Sequence, residues 1–106
     1  MSVPKRPVRA SVSGRVLAES DDIVMVEGNA YFPAESLDPA YFEPSDHHTI
    51  CPWKGRASYL SVVVDGTRLP NAAWYYPHPL PPARRIAGRV AFAKSIRVES
   101  SPLPVG

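Results

Sequence analysis

At 106 residues and 11.6 kDa, the chain is long enough for one domain with a modest hydrophobic core. Its 44% hydrophobic and 21% charged residues are typical of a globular protein and exclude a disordered chain. No apolar run approaches the roughly 18 residues of a membrane span, and the basic N-terminus lacks the apolar segment of a secretory signal. The single cysteine excludes an internal disulfide. We therefore expect a cytoplasmic protein that has no membrane partner.

The net charge of +2 hides an uneven distribution of charge. Residues 1–18 carry four basic groups and no acid, whereas residues 19–46 carry eight acids and no Lys or Arg. From residue 47 onward there are eight basic groups and only two acids. Either the acidic segment packs beside the basic ones and neutralises them, or the basic half offers a surface to an anionic ligand or an acidic partner. Because the basic residues are dispersed, nucleic acid is not an expected partner.

Thirteen prolines and six glycines divide the whole chain into short segments and exclude long helices. In the first half, two hairpins and one helical turn are predicted. Residues 8–12 and 15–20 are predicted strands joined by a tight turn at Ser13-Gly14. Residues 22–27 and 30–32 form a second predicted hairpin around Gly28-Asn29, because Gly and Asn tolerate the positive φ of hairpin turns. Residues 33–37 read as a single helical turn opened by a proline.

In the second half, residues 56–65 form the strongest predicted strand, and Asp65-Gly66 is a hairpin signal that returns the chain along 67–76. Pro70 must lie at an edge or a bulge, since it has no N–H to donate. A short helical turn is predicted at 81–88, and one or two closing strands over 89–94 and 95–100, with Val90 and Phe92 on one face. The prediction is a mostly-β domain of about seven short antiparallel strands over residues 8–99, between flexible segments 1–7 and 100–106.

The stretch "HHTICPWKGRASY" (47–59) concentrates reactive side chains. His47, His48 and Cys51, with His78 further on, suggest a metal site, but structural zinc usually needs four N or S ligands from paired motifs. Adjacent histidines rarely bind the same ion, and Pro52 removes a backbone N–H that a thiolate usually uses. We therefore expect no native structural metal and no cofactor.

Cys51 is also a candidate nucleophile, because His48 three residues before it and Lys54 three residues after it are groups that can lower a thiol pKa. The alternative is a small, inert thiol buried where a strand begins.

A third interpretation is a pocket for a small ligand, for which an anion is one candidate. Two large rings on one strand face, Trp74 and Tyr76 with Tyr75 opposite, suit either a pocket wall or a core. Lys54 and Arg56 suit a carboxylate or phosphate, or only a solvated turn. The predicted ligand-binding residues are Trp53, Lys54, Arg56, Tyr59, Trp74 and Tyr76.

The string from Cys51 to Tyr59, with "YFPAESL" and "EPSDHHT" before it and "AAWYYPHP" and "IAGRVAF" after it, resembles the domain of unknown function family 427 over about residues 8–98. The resemblance implies a mostly-β fold of the Mss4-like or β-tent type, whose zinc-bearing relatives use two cysteine pairs that this chain lacks. The family is also labelled nucleotidyltransferase-like. Asp21 and Asp22 lie side by side without the Gly-Ser turn of such enzymes, and neighbouring strand residues point to opposite faces.

Three functions remain open from the sequence. The first is a small-ligand domain whose pocket is built from the "CPWKGRASY" and "AAWYY" elements. The second is an enzyme that uses Cys51 with His48 or Lys54 on an acyl or phosphorylated substrate, as a transferase or hydrolase. The third is an accessory protein whose basic face docks on an acidic partner.

Overall fold

Two antiparallel sheets make up most of residues 7–100, the part of the chain that the computed structural model of this protein describes. Nine strands lie within it: β1 (Val8–Val12), β2 (Arg15–Ser20), β3 (Val24–Val26), β4 (Asn29–Pro33), β5 (Phe42–Cys51), β6 (Gly55–Val64), β7 (Thr67–Tyr75), β8 (Arg89–Phe92) and β9 (Arg97–Ser100). The mostly-β class is confirmed, with nine strands instead of about seven. The predicted flexible segments 1–7 and 100–106 lie outside the described residues, except for Pro7 and Ser100.

The small sheet has the order β2-β1-β9, and the large sheet has the order β3-β4-β8-β7-β6-β5. The bounds predicted for β1 and β2 are confirmed, and both Ser13 and Gly14 have the positive φ of the expected turn. Asp65 and Gly66 likewise turn the chain between β6 and β7. The turn between β3 and β4 is at Glu27-Gly28, one residue before the predicted position, so that Asn29 begins β4.

Strand β5 was not predicted, because its sequence has neither apolar alternation nor a run of β-branched residues. It forms the edge of the large sheet, pairs only with β6, and exposes most of its side chains. A register irregularity between Pro44 and His48 interrupts the pairing with β6. An edge strand with a polar sequence needs no apolar face, so residues 47–51, for which no strand was predicted, belong to β5.

Pro70 lies inside β7, a central strand, and the prediction of a bulge is confirmed. Val62 pairs with Leu69 while Leu60 pairs with Ala73, so extra residues of β7 face Ser61. Asn71 takes a positive φ of 54° there, and its N–H donates to Ser61 Oγ at 3.2 Å. The bulge therefore accommodates the missing N–H of proline without interrupting the sheet.

Both predicted helical turns are 3₁₀ turns, Ala34–Ser36 and Pro81–Ile86. A third, Pro39–Tyr41, was not predicted; the Asp38 side chain caps it by accepting from Ala40 N at 3.0 Å.

Asp21 and Asp22 lie between β2 and β3 rather than on a strand, and Asp22 pairs with Arg89 at 3.0 Å.

The two faces of the large sheet bury two separate apolar clusters. The first lies against the small sheet and contains Leu17, Phe32, Val62, Val90 and Phe92. Phe32 and Phe92 meet edge to face with ring centroids 5.3 Å apart, and the prediction that Val90 and Phe92 share a face is confirmed. The second cluster lies against the 3₁₀ turn Pro81–Ile86 and consists of Tyr31, Ala57, Tyr76, Ala83, Ile86 and Ala91.

We expect Phe32→Ala to lower the free energy of unfolding by about 3–5 kcal/mol, because the ring is fully buried and its removal leaves a cavity against Phe92. Phe42→Ala is the control, since Phe42 contacts the same ring from a half-buried position. Urea denaturation measures both, and a loss for Phe32→Ala no larger than for Phe42→Ala contradicts the assignment of Phe32 to the centre of the core.

Candidate functional site

The hairpin between β5 and β6 carries the "CPWKG" motif. Cys51 pairs with Gly55 across the sheet, and residues 52–54 form the turn. Gly55 has a φ of 111°, which residues other than glycine rarely adopt. A Cβ there would approach the carbonyl oxygen of His78 to 3.3 Å. Leu80 N also donates to the Lys54 carbonyl at 2.9 Å. Glycine is therefore required here, because the proline-rich segment after β7 packs directly on this turn.

Lys54 is 7% exposed, which is unusual for a lysine. Its Nζ forms an ion pair with the carboxylate of Glu27, the first residue of the turn between β3 and β4. The same Nζ lies 5.3 Å from the ring centroid of Trp53 and 5.5 Å from that of Tyr76. The ammonium is thus satisfied within the protein, between one carboxylate and two rings.

This environment changes three pKa values. Burial lowers the pKa of Lys54, but Glu27 and the phenols of Tyr31 and Tyr76 together raise it above the ordinary value of 10.5. The hydrogen bond from Lys54 lowers the pKa of Glu27 below 4.5, and burial raises the pKa of Tyr76 above 10.0. Lys54 therefore stays protonated at neutral pH, where its ammonium is held by Glu27 and the two rings.

Cys51 and His48 do not meet. Side chains alternate between the two faces of a strand, and the pairing of β5 with β6 is regular from His48 to Cys51, so residues three apart point in opposite directions. Cys51 is half-buried against the second apolar cluster, whereas His48 Nδ1 lies 3.2 Å from Ser58 Oγ on the opposite face. Lys54, the other proposed assistant of Cys51, is paired with Glu27.

A row of rings, His47, Tyr59 and Trp74, lies across the face of the second cluster. Tyr59 lies between His47 and Trp74, with ring centroids 4.6 Å and 6.4 Å away. Trp74 Nε1 donates to the Tyr31 hydroxyl at 3.2 Å, so this indole has a hydrogen-bond partner. Trp74 and Tyr76 face the second cluster while Tyr75 faces the first, which confirms the predicted alternation. Trp74, Tyr76 and Tyr59 line none of the cavities described below.

A first cavity, of about 260 Å³, lies beside Trp53, which is 39% exposed. Glu27, from the turn between β3 and β4, and Arg85, from the 3₁₀ turn Pro81–Ile86, also line it. Arg85 Nη2 donates to the Met25 carbonyl at 3.3 Å, and Glu27 is held by Lys54. Both charged groups of this cavity are therefore already engaged within the protein.

A second cavity, of about 220 Å³, lies on the other face of the large sheet and is called here the cationic cavity. Its lining residues are His48, Arg56, Ser58, Pro77 and His78. His48 comes from β5, Arg56 and Ser58 come from β6, and the last two residues come from the proline-rich segment that packs on Gly55. No acidic side chain lines the cavity.

Arg56 differs from most arginines of the described region in having no partner. Within residues 7–100, its guanidinium forms no ion pair and no side-chain hydrogen bond. Four of the five ion pairs there join an acid of residues 19–46 to a basic residue elsewhere: Arg9–Glu19, Lys54–Glu27, Arg68–Glu43 and Arg89–Asp22. Within residues 7–100, the acidic segment therefore pairs with four basic residues, while Arg56, Arg84, Lys94 and Arg97 form no ion pair.

Ser58 was not predicted as a site residue, and His78 was considered only as a metal ligand; the register and the packing of the proline-rich segment bring both to this cavity. In the described part of the chain, no three His, Cys, Asp or Glu side chains are grouped so that they could hold a metal ion. The same part contains no helix whose length and apolar character would let it cross a membrane.

Gly55→Ala should lower the free energy of unfolding by about 2–3 kcal/mol, because the new Cβ meets both the unfavourable φ and the His78 carbonyl. Gly66→Ala is the control: it has a positive φ but open space around it, and should cost about 1–2 kcal/mol. Equal losses in urea denaturation would show that the proline-rich segment does not pack against Gly55 in solution.

Glu27→Gln should destabilise the protein at neutral pH but not in acid. Because folding lowers the pKa of Glu27, the ion pair contributes its full stability above about pH 4.5 and loses it as the pH falls through the lowered pKa. The difference in urea midpoint between wild type and Glu27→Gln should therefore shrink below pH 4.5. Glu35→Gln, which removes an exposed carboxylate elsewhere, is the control. A difference that stays constant from pH 7 to pH 3 refutes the proposed role of charge.

The sequence was compared with curated proteins and with protein families. A search of curated proteins returned no match to this chain. The sequence profile of the family described as "Domain of unknown function (DUF427)" matches residues 2–101, nearly the whole chain. This confirms the resemblance, while the Mss4-like or β-tent type of fold stays a prediction. The chain belongs to the DUF427 family.

Proposed function

We propose that this protein binds a small anion in the cationic cavity. The observation that carries the proposal is Arg56, a guanidinium without a carboxylate partner among the described residues, placed beside His48, Ser58 and His78. A guanidinium presents a planar fork of donors that matches a carboxylate or a phosphate. Arg56 is the residue of the predicted ligand set that lines this cavity, and His48 accompanies it.

The pair of His48 and Ser58 supplies donors in either protonation state. When the imidazole is neutral and Nδ1 accepts from the Ser58 hydroxyl, Nε2 carries the N–H and can donate to an anion. When the imidazole is charged, both nitrogens donate, and the Ser58 hydroxyl is free to donate to the anion instead. The hydrogen bond of 3.2 Å thus keeps at least one donor available beside Arg56.

The volume of the cavity limits the anionic group. Pockets for drug-sized molecules enclose about 300–1,000 Å³, and the cationic cavity encloses about 220 Å³. It suits a carboxylate or a single phosphate rather than a nucleotide. The separation of Cys51 from His48 gives no support to the alternative of cysteine catalysis, and the binding of an anion requires neither a nucleophile nor a metal.

Arg56→Gln should weaken binding of inorganic phosphate and acetate at least tenfold, since hydrogen bonds to a charged group contribute about 1.5–3 kcal/mol. Titration calorimetry at constant ionic strength measures the affinities, with chloride as the background anion. Arg56 and Arg84 are both exposed, but Arg84 lies on the turn Pro81–Ile86 and does not line the cavity, so Arg84→Gln removes the same charge and should leave the affinity unchanged. If both variants weaken binding equally, the anion responds only to net charge and the site is refuted.

A further inference from the structure

An apolar groove of about 540 Å³ lies on the same face of the large sheet as the cationic cavity. Its apolar walls include Leu37, Phe42, Leu60, Tyr75 and Val90. Phe42, Leu60 and Tyr75 are half-buried and pack against the first cluster, so the groove is a surface depression floored by core residues. Its volume falls within the range of small-molecule pockets, about 300–1,000 Å³.

The strand register makes the groove and the cationic cavity neighbours. Val90 of β8 pairs with Tyr75 of β7, Tyr75 pairs with Ser58 of β6, and Ser58 pairs with His48 of β5. Directly paired residues of antiparallel strands place their side chains on the same face. Because adjacent strands lie about 4.8 Å apart, this row runs roughly 14 Å from an apolar end to an imidazole. Tyr75 lines the groove and its partner Ser58 lines the cavity.

The charges along this face favour one orientation of a bound molecule. Arg56, two residues before Ser58 on β6, supplies a cation at the cavity end. Glu35, on the 3₁₀ turn Ala34–Ser36, lines the groove at the other end. An elongated molecule with one negative group is attracted by Arg56 and repelled by Glu35, so it can lie along the face in one orientation only.

We infer that the cationic cavity and the apolar groove together hold one amphiphilic anion, with a carboxylate or phosphate head at Arg56 and an alkyl chain between Leu60, Tyr75 and Val90. This inference rests on the proposed function, because it names the class of ligand for the same anion site. The apolar chain supplies the affinity through burial, and the head group supplies the orientation.

A series of carboxylates of increasing length tests the inference on the full chain. Acetate, butanoate, hexanoate and octanoate are titrated at one ionic strength, with 1-hexanol as a neutral molecule of matched length. Each added methylene that reaches the groove should raise the affinity by up to about fourfold, and hexanoate should bind at least tenfold more tightly than 1-hexanol. Affinities that do not depend on chain length, or equal affinities for hexanoate and 1-hexanol, overturn the inference.

Two variants separate the head site from the groove. Ala34→Phe places a ring at an exposed lining position of the groove and should flatten the chain-length series while acetate and phosphate bind as before. Ala40→Phe adds the same ring on the neighbouring exposed turn and should change neither. Arg56→Gln should reduce hexanoate to the affinity of 1-hexanol.

The outcomes distinguish this inference from the proposed function. If acetate and phosphate bind through Arg56 but the series is flat, the anion site stands and the groove inference falls. If the series rises but Arg56→Gln has no effect on it, the chain binds without the cationic cavity, and both fall. If a variant fails to fold, a wild-type series that does not depend on chain length, or equal wild-type affinities for hexanoate and 1-hexanol, still overturns the inference.

Discussion

The alternation of side chains along β6 is the constraint on which both faces of the large sheet depend. Ala57 and Tyr59 face the second apolar cluster, while Arg56, Ser58 and Leu60 face the opposite side. A shift of one residue in the pairing with β5 or β7 would exchange these sets and bury the arginine. The regular register from His48 to Cys51 therefore fixes both the packed ring cluster and the cationic cavity behind it.

Most of the hairpins were predictable because their turns need particular residues. Ser13-Gly14 and Asp65-Gly66 require positive φ, and the apolar strands beside them have the expected alternation. The edge strand β5 was not predictable, because an exposed polar strand has no periodic signal of its own. Local patterns therefore indicated the class of fold and most strand positions, but not which strand would complete the sheet.

The candidate site was predictable only in part, for a related reason. Strand alternation in the sequence places Trp74 with Tyr76, and the structure agrees. The partner of Lys54 is Glu27, twenty-seven residues earlier in the chain, and no local pattern identifies a partner at that separation. His78 reaches the cationic cavity because the proline-rich segment returns over Gly55, which is likewise a tertiary contact.

The register irregularity of β5 between Pro44 and His48 also makes this edge an unfavourable place for another strand to add. An open edge strand exposes unpaired N–H and C=O groups to which another chain can add. Pro44 contributes no N–H, the irregularity interrupts any continuous ladder, and the carboxylate of Asp46 beside it disfavours the approach of a second apolar strand. The strand that carries His48 to the cationic cavity therefore has features that oppose strand addition at its open edge.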